Sequence, residues 1–524
     1  MKKIISYSLF FILPMFLNAQ DILWEKSYGG IHSEYLFDAI ATPDYGFILA
    51  GSSFSGKNGN KLTHNLGDLD YWIWKMDEHG DLEWQQSFGG SGSDFLTSVL
   101  TTSDGGFILA GYSDSGIGGS KKHTGYGDTD FWIIKLNASG AEEWQKTFGG
   151  SGRDVAKKIL EVPGGGYLVA GSSTSPVSGS KVSVHYGSLD YWIIKLNSSG
   201  VEEWQQSYGG KYVDQLEDIL VTQDGGFLLG GWSNSFISGN KTSDSFGEGD
   251  FWILKTDSKG VIEWQQVYGG EADDHLYVLK ELNDSNYLIG GTSRSGISGN
   301  KEIGNGKGAD FWLLKITAMG ERIWEKTYDF GENDLLISAH ENKDGTLLLG
   351  GHAKTETTGL NRADSKGIND YIALKISADG EEIWRQTVGS SGSETLKRLV
   401  ETRDGGYLLT GTSNGNISRD KNTYKGRSDF WIVKLRDKEK KEVMRLEGLE
   451  AFPNPTNSFT TVIVNHEFEE GWAQVIDITG REIYRFDINQ QMIPIDLSSL
   501  PVGVYLITIK TNKKTESIKI IKGN

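Results

Sequence analysis

None of the 524 residues is a cysteine. That absence excludes a disulfide framework, thiolate catalysis and every cysteine-ligated metal centre. Basic charge is in deficit, with 52 Lys and Arg against 70 Asp and Glu for a formal net charge of −18. A surface of that sign argues against duplex nucleic acid and anionic membrane as partners, since both need a basic face. After the N-terminal segment no stretch reaches about 18 uninterrupted apolar residues, so no membrane-spanning segment is expected there. Also missing are a His-Glu-x-x-His helix and a phosphate-binding loop, and no catalytic residue, metal site or cofactor is assigned. Proline is sparse at 8 residues, while charged residues at 23% and hydrophobic ones at 37% place the chain among globular proteins.

What is plentiful is glycine, at 69 residues, and tryptophan, at 16, and both are periodic. Trp recurs at 24, 84, 144, 204, 264, 324 and 384, a spacing of 60 residues. A second series, Asp-aromatic-Trp, begins at Asp70, Asp130, Asp190, Asp250, Asp310 and Asp429; its counterpart Asp370-Tyr371-Ile372 lacks the Trp. The two series hold thirteen of the 16 Trp, leaving Trp74, Trp232 and Trp472 outside the pattern. Such fixed-period self-similarity is the signature of repeat architecture.

Within the second unit, Phe95 to Thr102 predicts strand A, and Ser103-Asp104-Gly105-Gly106 a tight turn. Phe107 to Ser113 predicts strand B, Phe131 to Leu136 strand C and Glu143 to Phe148 strand D. Strands B and C are near-continuous apolar runs, as a sheet covered on both faces requires. Four short antiparallel strands repeated seven times predict an all-β protein, a seven-bladed β-propeller over residues 20–435. The last unit lacks its own strand D, so a segment at 22–28 (LWEKSY and its preceding Ile) is expected to close the seventh blade. The A–B and C–D turns then share one rim, and the long B–C loops share the other with the D–A connections. Binding is expected on the long-loop rim.

The N-terminus reads as an address. Lys2 and Lys3 precede an apolar run from Ile4 to Leu17 that ends in Leu17-Asn18-Ala19, the layout of a signal peptide over 1–19. Residues 436–448 form a charged linker, and from Leu449 the 60-residue pattern stops. Alternating strands with Gly and Pro turns predict a small β-sandwich over 449–524. The acidity belongs to the repeats, where 20–435 holds 38 Lys and Arg against 57 Asp and Glu. Solubility and mutual repulsion account for it more simply than a cation-dependent face.

Two resemblances add to this reading. Phe88-Gly89-Gly90-Ser91-Gly92-Ser93-Asp94, then Asp104 to Gly111, then Asp130-Phe131-Trp132, resemble secreted bacterial propeller repeats of the SBBP type. In the C-terminal segment, Pro453-Asn454-Pro455, the Asp477 turn with Gly480 and Arg481, the Leu500-Pro501 turn with Gly503 and Tyr505, and the Lys519 to Lys522 strand occur in that order. Together they resemble the type A sorting domain of type IX secretion cargo in Bacteroidetes. That resemblance implies export to the outside or outer surface of a Gram-negative bacterium, with the type IX machinery as a partner. A likeness of Leu136 to Trp144 to the Trp-docking repeat of quinoprotein dehydrogenases is weakened by seven units instead of eight and by the lack of Cys. The Ser-Asp box of sialidases is only half present at Ser103 to Gly106.

The thirteen periodic Trp are read as packing between blades. The Asp before each aromatic-Trp is read as a carboxylate capping loop N–H groups or pairing with the Lys61, Lys121, Lys181, Lys241, Lys301, Arg362 and Lys421 series. His64, His123 and His185 lie in three successive B–C loops, and blade 6 is the most degenerate. Residues that break the repeat are the candidates for a binding face: Asp68, Asp128, Trp232, Glu248 and His275. The resulting expectation is a monomeric, non-enzymatic binding module for an extracellular glycan or surface protein. A carbohydrate-active hydrolase or lyase on the same face is the alternative.

Overall fold

A computed structural model describes residues 20–355, 367–438, 448–452, 454–456 and 458–523. The expected signal peptide, most of the linker, Arg362 and Pro453 lie outside the described residues.

Strand formation follows the repeat. In blade 2 the strands are A (Asp94–Thr101), B (Phe107–Ser113), C (Asp130–Leu136) and D (Glu142–Phe148), paired antiparallel in that order. Strands B and C are buried almost throughout because neighbouring blades cover both faces. Strand D alternates, with its outer residues in solvent. The A–B turn closes through Thr102 N–H to Gly106 O (2.9 Å) and Gly105 N–H to Thr102 O (2.9 Å), with Gly105 at φ 81°. Strand A carries a bulge between Leu96 and Ser98, and a bulge recurs there in the other blades.

The described residues form seven such four-stranded sheets, a seven-bladed β-propeller. In the last blade, strands Glu394–Glu401, Tyr407–Ser413 and Asp429–Asp437 are joined by Gln20–Tyr28 on the outer edge. Adjacent blades are linked at the long-loop rim by parallel bridges, from Leu69 with Ser93 round to Ser33 with Ser428, so the ring is closed.

The strand C tryptophans carry the packing. Trp72, Trp132, Trp192, Trp252, Trp312 and Trp431 are fully buried. Each lies against an aromatic of the preceding blade, as in Tyr71–Trp132 (4.8 Å between centroids), Phe131–Trp192 (4.7 Å) and Phe430–Trp72 (4.8 Å). Each indole N–H is satisfied by a strand D side chain, such as Gln145 for Trp132 at 3.2 Å. In blade 6 Ile372 takes the Trp position, and Phe311 of blade 5 instead packs on Phe330 at 5.0 Å.

The C-terminal domain is a two-sheet sandwich. Leu449–Phe452, Phe459–Val464 and Met492–Asp496 form one sheet; Glu482–Ile488, Gly471–Asp477, Gly503–Thr511 and Thr515–Lys522 form the other. Val462, Val475, Ile495, Ile507 and Ile520 are part of its core. This domain rests on the tight-turn rim: Glu450 accepts from Tyr45 Oη at 2.8 Å and pairs with Arg403 at 2.5 Å, both from A–B turns. A cleft of about 290 Å³ between Asp104, Ser139, Gln490 and Pro494 lies at the same contact.

Candidate functional site

Strand C begins with an aspartate in every blade, and in six of the blades its Oδ2 caps the end of the long loop. Asp130 accepts from Tyr126 N–H at 2.8 Å, Asp190 from Tyr186 at 2.7 Å and Asp310 from Gly306 at 2.7 Å. The six described lysines of the series are buried beside these acids but make no ion pair of 4 Å or less with them. Lys121 instead donates to Ser113 Oγ at 2.5 Å and sits 5.4 Å from the Trp132 ring centre. The geometry thus contains the expected capping and places five of the lysines, Lys121, Lys181, Lys241, Lys301 and Lys421, over indole faces instead.

A second acid series escaped the sequence reading. At the start of strand A, or three residues into it in blade 6, stands Glu34, Asp94, Asp154, Asp214, Asp274, Asp334 or Glu394, all fully buried. Each turns back on the D–A connection, as Asp94 does in accepting from Gly90 N–H at 2.8 Å and Ser115 Oγ at 3.0 Å. The same 60-residue register that exposed the Trp series would have exposed it. At each blade junction the strand C acid of one blade meets the strand A acid of the next. Gly269 has room only for hydrogen, because a Cβ there would lie 1.8 Å from Asp250 Oδ1.

Burial pushes these carboxyls up, each against the pull of its backbone donors. Asp70 and Asp130 rise to about 6, with Asp94 and Asp154 adding like charge. Asp250 and Glu34 rise to about 7. The buried ammoniums move the other way, Lys61 and Lys241 falling to about 8. Among the described residues the long-loop rim is therefore a ring of desolvated acids and lysines that do not pair directly with one another.

Of the residues singled out as repeat-breakers, the structure brings two together. Trp232 and His275 stack at 4.4 Å with 15° between planes, across the junction of blades 4 and 5. In blades 1, 3, 5 and 7 this strand B position carries a Ser or Thr hydroxyl bonded to the next blade's strand A, as Ser52 bonds Asp94 O (3.0 Å) and Thr292 bonds Asp334 O (3.1 Å), while blades 2 and 6 have Tyr112 and His352 there. Trp232 replaces that bond with a ring, and burial lowers the His275 pKa. Asp68, Asp128 and Glu248 are exposed on three different blades and join no acid or His cluster among the described residues. His185 Nδ1 lies 2.7 Å from Asp190, and His64, His123 and His185 form no ligand cluster among the described residues.

The long-loop rim also exposes apolar side chains in register. Ile117, Val177, Ile237, Ile297 and Ile417 occupy the same loop position in five blades and are 60–73% exposed. Tyr212, Phe236 and Phe246 add exposed aromatics on blade 4.

In the C-terminal domain the sorting motif residues are structural. Asn454 Nδ2 donates to Lys519 O (2.8 Å) and its Oδ1 accepts from Ile521 N–H (3.0 Å), tying Asn454 and Pro455 to the last strand. Gly480 takes φ 84° in the turn capped by Asp477, whose Oδ2 receives Arg481 Nε at 3.1 Å. Tyr505 Oη donates to Pro501 O at 2.5 Å, beside Gly503 at the head of the strand. Lys522, at the end of the Lys-rich strand, is buried and donates to Leu497 O (2.7 Å) and Ser498 O (3.0 Å).

Residues 450–523 match the family described as a secretion system C-terminal sorting domain. That tail marks the chain as secreted or displayed on the outer cell surface, with the secretion machinery as a partner. Regulatory protein FlaEY of Caulobacter vibrioides is 24% identical over 211 residues, covering 38% of this chain and 22% of that protein. The aligned stretch is thus about a fifth of FlaEY's length. Among solved structures, a fungal alcohol oxidase of the AA5 family in complex with copper has a TM-score of 0.44 at 9% identity, covering 96% of this chain and all of the other. The Neurospora crassa Pan2 WD40 domain has a TM-score of 0.45 at 10% identity, over 82% of this chain and 98% of its own. A glucose dehydrogenase has a TM-score of 0.33 at 10% identity, over 64% and 94%. The propeller assignment rests on the strand pairing, and a propeller fold by itself does not separate catalysis from binding. Among the described residues no helix is long and apolar enough to cross a membrane.

Proposed function

We propose that the protein is a secreted, monomeric binding module, exported by the type IX route, that grips an extracellular surface protein or glycan with its long-loop rim. The observation that carries this reading is the ring of five exposed aliphatic side chains repeated in register on that rim. A solvent-facing apolar set on a rigid scaffold is the mark of an interaction surface. The opposite rim is covered in part by the C-terminal domain through Glu450, so the long-loop rim is the free one. The stacked Trp232–His275 pair and the neighbouring Tyr212 and Phe236 give that rim one aromatic sector, suited to an anchoring side chain or a sugar face. No observation favours the hydrolase or lyase alternative, since the exposed acids stand on separate blades.

The test is a glycan array and a surface-protein capture assay with wild type, Ile237→Asp/Ile297→Asp and Trp232→Ala. Binding should fall at least about tenfold in the double variant, in keeping with the loss of a central interface contact. Equal binding by all three would remove the long-loop rim from consideration. Polysaccharide turnover by wild type, abolished in a single variant, would replace binding with catalysis.

A further inference from the structure

The junction between blades 5 and 6 departs from the other six in two ways that act together. Where the strand D exit has Gly29, Gly89, Gly149, Gly209, Gly269 or Gly389, this junction has Asp329. Where strand B ends in Ser53, Ser113, Ser173, Ser233, Ser293 or Ser413, blade 6 has Ala353. Those serines serve the strand A acid: Ser233 donates to Asp214 Oδ1 at 2.5 Å, Ser53 to Glu34 at 3.0 Å and Ser413 to Glu394 at 2.8 Å. Asp334 has lost that donor and gained a third carboxylate. Strand A of this blade starts early, at Gly331, and carries an added register shift between Gly331 and Asp334.

Asp310, Asp329 and Asp334 offer oxygens that all lie within 4.8 Å of one another. Asp310 and Asp334 are fully buried, and each has an Oδ1 with no hydrogen-bond partner; pairs such as Asp70 with Asp94 and Asp250 with Asp274 share that feature, but only here, among the described residues, does a third carboxylate join the pair. Their Oδ2 atoms are committed to backbone, Asp310 to Gly306 N–H (2.7 Å) and Asp334 to Phe330 N–H (2.6 Å), which fixes both carboxylates. Asp329 is exposed and leaves an approach from solvent. Lys301, the buried lysine of this series nearest to Asp310, donates to Asn305 Oδ1 at 2.9 Å and to the Ile303 carbonyl, and makes no ion pair with the triad. Removing a hydroxyl donor while adding an acid is the reverse of what hydrogen bonding alone would need to hold these groups buried.

We propose that Asp310, Asp329 and Asp334 bind one calcium ion, with Oδ1 of both buried aspartates and the Asp329 carboxylate as protein ligands and water completing the shell. Oxygens bound to a common Ca²⁺ at 2.3–2.6 Å lie at most about 5 Å apart, which the triad satisfies. All-oxygen, carboxylate-rich ligation with room for water suits Ca²⁺ better than Mg²⁺, which demands a tight octahedron, or Zn²⁺, which favours nitrogen and sulfur. The ion would pin the blade that lacks the strand C tryptophan, through Asp310 of blade 5 and Asp334 of blade 6.

Calcium is titrated calorimetrically into the chelator-treated full chain, with thermal melts in parallel. Wild type should bind one Ca²⁺ with a Kd on the order of 10⁻⁴–10⁻³ M, the range of extracellular modules, and its Tm should rise as the site fills. Asp329→Gly restores the residue of the other junctions, so it should fold normally and melt in chelator like wild type. It should bind Ca²⁺ at least about tenfold more weakly, and Asp334→Asn should do the same. Absence of saturable Ca²⁺ binding by wild type, or wild-type affinity in both variants, overturns the site.

Discussion

On the tight-turn rim Lys135 sits between Asp104 and Glu143 at 2.9 and 3.0 Å, while on the long-loop rim of the same blade Lys121 has no carboxylate within 4 Å. The difference repeats round the ring. Lys75 holds Asp44 (2.8 Å) and Glu83 (2.7 Å), Lys255 holds Asp224 (2.8 Å) and Glu263 (2.7 Å), and Lys434 holds Asp404 (2.5 Å). Asp224 falls to about 2 there: burial works against the fall, but bonds from Lys255 and Thr222 outweigh it. Across the blade Asp250 rises to about 7 because burial prevails over its backbone donors. One rim satisfies its charges and receives the C-terminal domain. The other buries charges it does not pair and carries the exposed apolar ring. Residues that would cost stability are concentrated where binding is proposed, as expected when a site is selected for something other than folding.

Both rims depend on one closed ring, so the largest effect should come from opening it. Deleting residues 20–30 removes the outer strand of the seventh blade, including buried Tyr28 and the Glu25 carboxylate that accepts from Trp431 Nε1 at 2.7 Å. The Tm should fall by about 10 °C or more, since each lost kcal/mol moves a large domain by a few degrees. A melt unchanged by the deletion would show that the pairing of Gln20–Tyr28 with Asp429–Asp437 contributes nothing to closure.

Much of this frame was legible in the sequence, because a repeat multiplies weak local signals. The strands of blade 2 fall within a residue of expectation, and the Trp series finds its partners in the aromatic of the preceding blade. What was not legible depends on how units meet. Asp94 reads as the last residue of a Gly-rich connection, and only the junction shows it facing Asp70, whose pKa its charge helps to raise. Trp232 and His275 lie 43 positions apart, and nothing local says that their rings stack. The acids Asp68, Asp128 and Glu248 looked grouped by register, but equal register on a ring places them on different blades.

The contrast between rims has a pH signature of intermediate size. Asp70 and Asp130 at about 6, and Glu34 and Asp250 at about 7, all bind protons more tightly folded than unfolded. Their contribution is complete below the ordinary carboxyl range and is lost as pH rises through 6 to 7. Lys61 and Lys241, lowered to about 8, restore stability only as pH climbs from there toward the ordinary lysine range. Tm should therefore fall between pH 5 and pH 7.5 and pass through a minimum near pH 8. Asp130→Asn should be neutral or stabilising at pH 8 and lose that advantage at pH 5. Asp104→Asn, across the blade, should cost about 1 kcal/mol at pH 7, a modest figure because its carboxylate is partly exposed. Urea melts of the two variants at both pH values decide the matter: if they respond alike, the rims are not electrostatically distinct.

The smallest effect concerns how the tight-turn rim receives the C-terminal domain. Tyr45 holds a left-handed conformation, φ 69°, at the turn position where Gly105 and Gly405 sit in blades 2 and 7. A bulky residue is strained there, and the strain is held by what its ring does. Its Oη donates to Glu450 at 2.8 Å, and the Arg403 guanidinium lies 4.3 Å from the centre of its ring. Arg403 also pairs with Glu450, to which Asn465 adds a bond at 2.8 Å, so one carboxylate gathers both turns and the sandwich. These contacts join two units that each have their own core, so losing them should loosen docking without unfolding either. Glu450→Ala should leave the propeller Tm within about 1 °C of wild type, as for a contact at the edge of a domain. It should nevertheless raise the radius of gyration in solution scattering and speed proteolysis in the 436–448 linker. Tyr45→Gly should give the same separation while relieving the backbone, and so should raise the melting temperature slightly where Glu450→Ala does not. Equal scattering profiles for wild type and both variants would mean that the contact at Glu450 is not what holds the domain to this rim.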